Sequence, residues 1–451
     1  MSDPASISAT VAPSPAGSRA ATTALLSTMM FLQFFVWGAW YVSMTGWMDV
    51  QNLKGLTGWA YTVGPIAAVI SPFFLGLIAD RFFPTQRVLA VMHLLGGAVL
   101  LGVPGVVASL DPATPLTFLH PFVLMLLAHM LCYMPTLGLT NTLCFHHMSS
   151  PEKQFPLVRV FGTIGWIVGG IVVGGNLNTW GIDLAWIDGG DKSPVQFYVA
   201  GAAGLLLGLF SFFLPHTPAP GAGKHTSIRQ ILGLDSLKLL AQPSYLVFAV
   251  CSFLVCIPLA GYYAYARTFV DGVGSHHVPP GGTPFNATLT MQYGQMSEII
   301  FMLLMPLFFA RLGVKWMLAV GMLAWVVRYA LFAGAADNYI LSMAIFGVVL
   351  HGICYDFFFV TGFIYVDRKA PKEIRGQAQG FLVLLTQGLG LGLGAILFSN
   401  LVDFYTTQSP GAPDVRNWKM IWIIPALFAA VVMFLFIALF RDRRPTVDSP
   451  G

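Results

Sequence analysis

Charge is what this sequence has least of. Asp, Glu, Lys and Arg supply 9% of its 451 residues, against about 25% in an average soluble domain. That scarcity excludes an ordinary water-soluble globule. Cysteine is sparse as well: Cys132, Cys144, Cys251, Cys256 and Cys354 all fall within apolar stretches. None sits in an outer loop beside a partner, so free thiols are expected and no disulfide framework. Basic runs with interleaved aromatics are missing, which excludes nucleic acid as a partner. The sequence also lacks zinc-type His and acid spacing, a nucleophile elbow and a phosphate loop, so nothing supports an enzyme, a metal or a cofactor. A soluble signalling domain, which a sensor would carry, is not present either. The first residues hold no short apolar core followed by a small-residue cleavage site, so a cleaved signal peptide is not expected.

Apolar residues are abundant, at 56%. With about 20 needed per crossing, the chain divides into about twelve spans, at 23–47, 58–79, 87–109, 118–143, 157–175, 195–214, 244–269, 288–310, 314–334, 338–363, 376–400 and 418–440. The expected fold is therefore an all-α integral membrane bundle. Residues 1–22 read as a disordered tail, 23–215 as a first six-helix half, 216–243 as a linker, 244–440 as a second half and 441–451 as a closing tail. Cations crowd the even-numbered connections and the tails, for example Arg81, Arg87, Lys224, Lys372 and Arg444. The odd-numbered connections hold only Lys54, Lys192, Arg416 and Lys419. That bias places both termini of this multi-pass membrane protein in the cytoplasm.

Three echoes relate the halves. Gly76–Arg81 closes the second span as Arg311–Lys315 closes the eighth, His129–Tyr133 matches His351–Tyr355, and Arg159 matches Arg375. Parallel repeats about an axis along the membrane normal are the architecture of major facilitator transporters, with substrate held near the midplane between halves. The stretch Gly76-Leu-Ile-Ala-Asp80-Arg81 to Arg87 resembles that superfamily's loop signature. Gly76, Asp80, Arg81 and Arg87 are thus expected to form a conformational latch, with an ordinary basic loop as the alternative.

Candidate ligand residues stand out because polar groups at bilayer depth are costly. Gln295 and Glu298 are one turn apart in the apolar run Met291–Pro306 and face one groove. Arg159, Thr163 and Trp166 follow helical spacing on the fifth span, a cation and a hydroxyl beside an indole, which suits an oxygen-rich ligand with a planar ring. Arg159 also reads as an interfacial anchor. The tenth span carries His351, Tyr355 and Asp356; the second acid there is either a proton site or a helix-to-helix hydrogen bond. The seventh span holds Pro258, which is expected to break or kink it, and the cluster Tyr262, Tyr263 and Tyr265, which suits a gate, a stacking surface or an outer aromatic belt; Arg267, near its outer end, is expected to be interfacial. Asn286-Ala287-Thr288 is a formal glycosylation sequon on the outer side.

The segments Cys132–Thr142, Phe155–Gly165, Tyr355–Phe358 and Ile374–Gly380 resemble the bacterial nucleoside:proton symporters, over about Phe31 to Arg441. The resemblance implies nucleoside uptake driven by the proton gradient across the plasma (inner) membrane. It carries binding positions over to Arg159, Thr163, Gln295, Glu298 and Tyr355, with Trp166 replacing another aromatic. Two places depart: the family's seventh span offers amides where this chain has Ala260 and Tyr263, and a family Tyr is His351 here. These changes bear on the particular substrate more than on transport, and another sugar-like or polyol solute is the alternative. The expected substrate-binding set is Arg159, Thr163, Trp166, Tyr263, Gln295, Glu298, His351 and Tyr355. Glu298 and Asp356 are the expected proton-coupling residues. The partners are a nucleoside, protons and the lipid bilayer, and the chain is expected to work as a monomer.

Overall fold

Lipid offers no hydrogen bonds to a backbone, so apolar runs of membrane length fold as helices that satisfy their own peptide groups. The computed structural model describes residues 16–74, 83–149, 151–182, 184–187, 190–219, 234–282, 284–371, 374–409 and 412–441. Among these, nine stretches are long and apolar enough to cross a membrane. One of them, Ala287–Asn338, is two helices that meet at Gly313, where φ is 66° and ψ 179°. That conformation strains any residue with a Cβ. Thr57–Phe74 and Val195–Ser211 complete a set of twelve.

The helices are α1 (Ala16–Gly38), α2 (Thr57–Phe74), α3 (Thr85–Ala108), α4 (Pro121–His147), α5 (Pro151–Gly174) and α6 (Val195–Ser211). They continue with α7 (Pro243–Ser275), α8 (287–312), α9 (314–338), α10 (Leu341–Lys369), α11 (Gln377–Phe404) and α12 (Trp418–Leu439). A short antiparallel hairpin, β1 (Thr406–Ser409) and β2 (Ala412–Arg416), joins α11 to α12.

α12 shows why these segments sit as they do. Asn417 caps it by accepting from the Met420 N–H at 3.1 Å, which satisfies one otherwise orphaned donor. Its mean hydropathy is 2.7, and apolar side chains occupy both faces. Trp422, Ala426, Ala429 and Phe436 are buried in the bundle, whereas Leu427, Val431 and Phe434 point outward. An all-round apolar helix half-covered by protein needs lipid on the other side.

In the first half, α1 packs on α5 and α6, and α3 on α4 and α6; in the second, α7 packs on α11 and α9 on α12. The halves meet along two seams, α5 with α8 and α2 with α11. Small residues bring the helices close. A methyl added at Gly165 would run into the Phe31 carbonyl of α1, and one at Gly170 into the Gln292 amide of α8.

Several expectations change. The first span, read as 23–47, is α1 to Gly38 followed by a turn and a separate short helix, Met44–Val50. The break follows from packing: Gly38 lies against the Trp166 backbone, and Trp40 turns inward onto His129 and Phe197. The tail read as disordered over 1–22 is already helical from Ala16, in keeping with the helix propensity of its alanines. α7 continues through Pro258. Its Tyr262 and Tyr265 are buried and form no lipid-facing belt. Asn286 is no glycan acceptor: it is buried, donates to the Gly174 carbonyl at 2.7 Å and caps α8. The five cysteines are free. Gly76, Asp80 and Arg81 of the expected latch lie outside the described residues; Arg87 is exposed in the first turn of α3.

Candidate functional site

Between the two seams lies a cavity lined by Phe34 and Trp37 of α1, Tyr41 of the turn that follows it, Arg159, Thr163 and Trp166 of α5, and Tyr263 of α7. Gln295 and Glu298 of α8, His351 and Tyr355 of α10, and Gln387 and Leu391 of α11 complete it. It holds about 90 Å³ of space for water-sized solvent. All eight residues expected to bind substrate line this one space, although they come from four helices in both halves.

Each is set by its helix. Arg159, Thr163 and Trp166 share one face of α5, and Gly162, Gly165 and Gly169 on the adjoining face bring the helix against Phe34, Phe31 and Phe35 of α1. The Arg159 guanidinium lies 4.0 Å from the Phe34 ring centroid, a cation over an aromatic face. Thr163 donates to Glu298 at 3.4 Å across the α5–α8 seam. Glu298 is buried, and Arg159 is the cation that acts on it. Trp166 and Trp37 stand edge to face at 5.3 Å. His351 stacks on Tyr262 at 5.4 Å and 14°.

Several polar atoms here have no hydrogen-bond partner despite burial: Arg159 Nη1, Trp166 Nε1, Gln295 Oε1 and His351 Nδ1. An unsatisfied buried group costs about 1–3 kcal/mol, and folded proteins leave few. Their convergence on one aromatic-walled space marks a site for a ligand with several donors and acceptors.

Asp356 does not line the cavity. It is fully buried, and neither carboxylate oxygen has a partner. It opens a π-helical turn, Asp356–Val360, and Glu298 and Arg159 are the charges it feels. The helix-to-helix hydrogen bond that was the alternative reading of Asp356 is therefore not formed. His129, the sequence counterpart of His351, turns away from the cavity and bonds the Gly96 carbonyl at 3.0 Å.

Sequence reasoning missed the aromatic wall of Phe34, Trp37 and Tyr41, Leu391, and two further polar groups. Arg328 of α9 is fully buried; its Nε donates to the Gly347 carbonyl at 3.0 Å, and its guanidinium lies 4.1 Å from the Tyr262 ring centroid. It forms a layer behind His351. A cation deep inside the span 314–334 carried the same burial signal that singled out Glu298. Gln387 was also missed, because one of several amides in a glycine-rich span gives little signal without a partner in view.

The cavity is closed toward the end opposite the chain termini. Tyr41, Tyr61, Tyr263, Leu391 and Ala395 meet there with no room for water, and the Tyr61 hydroxyl donates to the Tyr41 carbonyl at 2.7 Å. Beyond them, Arg267 of α7 pairs with Asp191 from the loop before α6. The Thr288 hydroxyl donates to the same carboxylate at 3.1 Å, Lys192 pairs with Asp271 at 2.9 Å, and Gly46 lies against the guanidinium. Arg267 was expected to be interfacial, but it is only 2% exposed. The reason is Asp191, a distant loop residue that supplies its counter-charge.

Residues 20–445 match the family model described as Nucleoside H+ symporter. The chain is 40% identical to the putative nucleoside transporter YegT of Escherichia coli over 427 residues, covering 93% of this chain and 94% of that protein. It is 29% identical to the nucleoside permease NupG of Escherichia coli, covering 94% of this chain and 97% of that one. A crystal structure of a point mutant of the nucleoside transporter NupG superposes with a TM-score of 0.79 at 28% identity, covering 93% of this chain and 100% of that one. These relatives are transporters, and the fold is that of a major facilitator. The chain belongs to the nucleoside:proton symporter family.

Proposed function

We propose that the cavity between α5, α8, α10 and α11 binds a nucleoside and releases it inward together with a proton, by alternating access. The observation that carries this is the set of unpartnered polar atoms, Arg159 Nη1, Trp166 Nε1, Gln295 Oε1 and His351 Nδ1, around a space walled by Trp37, Tyr41, Trp166 and Tyr263. A nucleoside offers what such a space lacks: hydroxyls for polar side chains and a flat base for aromatic faces. Glu298 accepts a ligand hydroxyl and takes up the coupled proton. Asp356, buried without a partner and under the field of Glu298, is the second proton site.

In this reading the halves 23–215 and 244–440 rock about the site, with 216–243 as linker. Both termini face the cytoplasm, the membrane is the inner membrane and one chain suffices. The Asp191–Arg267 cluster seals the outer face, so the form described is closed to the outside. Asp80 and Arg87 latch the cytoplasmic seam, so Asp80→Asn slows interconversion and leaves ligand affinity nearly unchanged.

The test is uptake of labelled uridine and adenosine into proteoliposomes with the outside made acid. Accumulation above equilibrium, abolished by a protonophore, is expected. Nucleoside movement with no response to the pH gradient would remove the coupling, and failure to move any nucleoside would remove the substrate assignment.

A further inference from the structure

Gln387 lines the cavity but stands apart from the other polar residues there. Arg159, Thr163, Gln295 and Glu298 all belong to the α5–α8 seam. Gln387 belongs to α11, which forms the other seam with α2: Gly388 lies against Val69, and Gly392 against Pro65. The ligand space lies between the two seams. One wall therefore carries a guanidinium, a hydroxyl, an amide and a carboxylate, and the other a single primary amide. Gln387 has no hydrogen-bond partner among the described residues, although its neighbour Thr386 is bonded to the Leu382 carbonyl at 2.7 Å.

The backbone beneath Gln387 is also unusual. Residues Leu384–Gly390 form a π-helical turn inside α11. Such a turn widens the helix by one residue and shifts the direction of the side chains that follow; these turns gather at functional sites. Gly390 and Gly394 press the same stretch onto α7, against Cys256 and Ile257. The irregular turn is thus held by close packing on its far side, and it presents Gln387 and Leu391 to the cavity.

We propose that Gln387 reads the base edge of the bound nucleoside and is a specificity-determining residue of the transporter. This rests on the nucleoside reading given above. The α5–α8 wall, with its several donors and acceptors, suits the ribose hydroxyls. The base then lies over the aromatic floor of Trp37, Tyr41 and Tyr263 with its edge toward α11. A primary amide offers donor and acceptor side by side, the pattern that pairs bidentately with an adenine edge. Because the amide can turn over, it also matches the edges of uracil, hypoxanthine and cytosine. Gln387 accordingly accepts several bases while rejecting solutes that have no base.

The experiment measures kcat and KM for adenosine, cytidine, uridine, inosine and purine riboside, which lacks an exocyclic group. Two variants are compared with the parent in proteoliposomes. Gln387→Met keeps the shape and removes all hydrogen bonding. Its KM for the natural nucleosides should rise about tenfold, the size of one lost hydrogen bond, with kcat within about twofold, and its preference for adenosine over purine riboside should vanish. Gln387→Glu keeps the acceptor and loses the donors. It should favour adenosine and cytidine, which present an amine, over uridine and inosine by about tenfold more than the parent does. Unchanged base preference in Gln387→Met, with wild-type KM, would overturn the assignment even if Gln387→Glu failed to fold. A parent that carries no nucleoside would strike the underlying function, whereas a transporting parent with an indifferent Gln387→Met strikes only this inference.

Discussion

The cavity and the sealed end are both buried, both polar and both built from residues of the two halves, yet their polar groups are partnered differently. At the sealed end every named charge is paired: Arg267 finds Asp191, Asp191 also accepts from Thr288, and Lys192 finds Asp271, whose Oδ1 alone stays open. In the cavity, Arg159, Trp166, Gln295 and His351 each leave a buried polar atom open. The difference separates two jobs. A cluster whose charges are paired within the chain holds one conformation shut without help. A cluster left open gains its partners only when a ligand arrives, so ligand binding shifts the conformational balance by as much as it is bound better in one form.

The largest effect should come from turning the sealed end into an unsatisfied one. Removing one member of a buried ion pair costs about 3–5 kcal/mol, because the other charge stays buried. Arg267→Met should therefore populate the form open at this end by about 100-fold or more over the parent. Spin labels at Val50 and Ser275, one from each half and both exposed there, should move apart. An unchanged distance distribution would mean that the Asp191 pair does not hold this end closed.

The next effect tests the cavity. Glu298→Ala should lower uptake about 10- to 100-fold, the scale of a lost hydrogen bond to a charged group. Glu298→Gln keeps the shape but cannot ionise, so exchange of labelled nucleoside should survive better than proton-driven accumulation. If Glu298→Gln still concentrates nucleoside as well as the parent, coupling resides elsewhere, with Asp356 next.

A smaller contrast sets the two halves side by side. In a cysteine-free background, nucleoside should protect a cysteine at position 351 severalfold from thiol reagents and leave one at 129 unaffected, since His129 is turned onto the Gly96 carbonyl. Equal protection at both would restore a symmetric cavity role for the pair. The smallest effect belongs to the exposed strap from Lys54 to Asp414 on β2. Its hydrogen bond holds the Asp414 carboxyl below the usual carboxylate range. The strap is thus complete above the ordinary carboxyl pKa and is lost as pH falls through the lowered one. Exposed pairs contribute little, so Lys54→Met should change the transport rate by about twofold at most, measured at neutral pH.

Much of this molecule was legible in its residues one at a time. A carboxylate in the run Met291–Pro306 and a guanidinium at the head of the fifth span stood out because lipid makes each costly, and local helical spacing told which side chains share a face. The twelve apolar segments and the α5 triad of Arg159, Thr163 and Trp166 follow from those two rules alone. What only the tertiary structure decided were the relations between distant segments. Asp191 meets Arg267 across 76 positions of chain, and that pairing, not the span containing Arg267, makes it a lock and not an interfacial anchor. His129 and His351 share a sequence echo, but the helix packed beside each decides that one is bonded to a carbonyl away from the cavity and the other faces the ligand space. Gln387 and Arg328 carry the same lesson. A side chain's partners are set by which helix lies opposite, and helix-to-helix placement depends on packing across the whole bundle, where no local pattern records it.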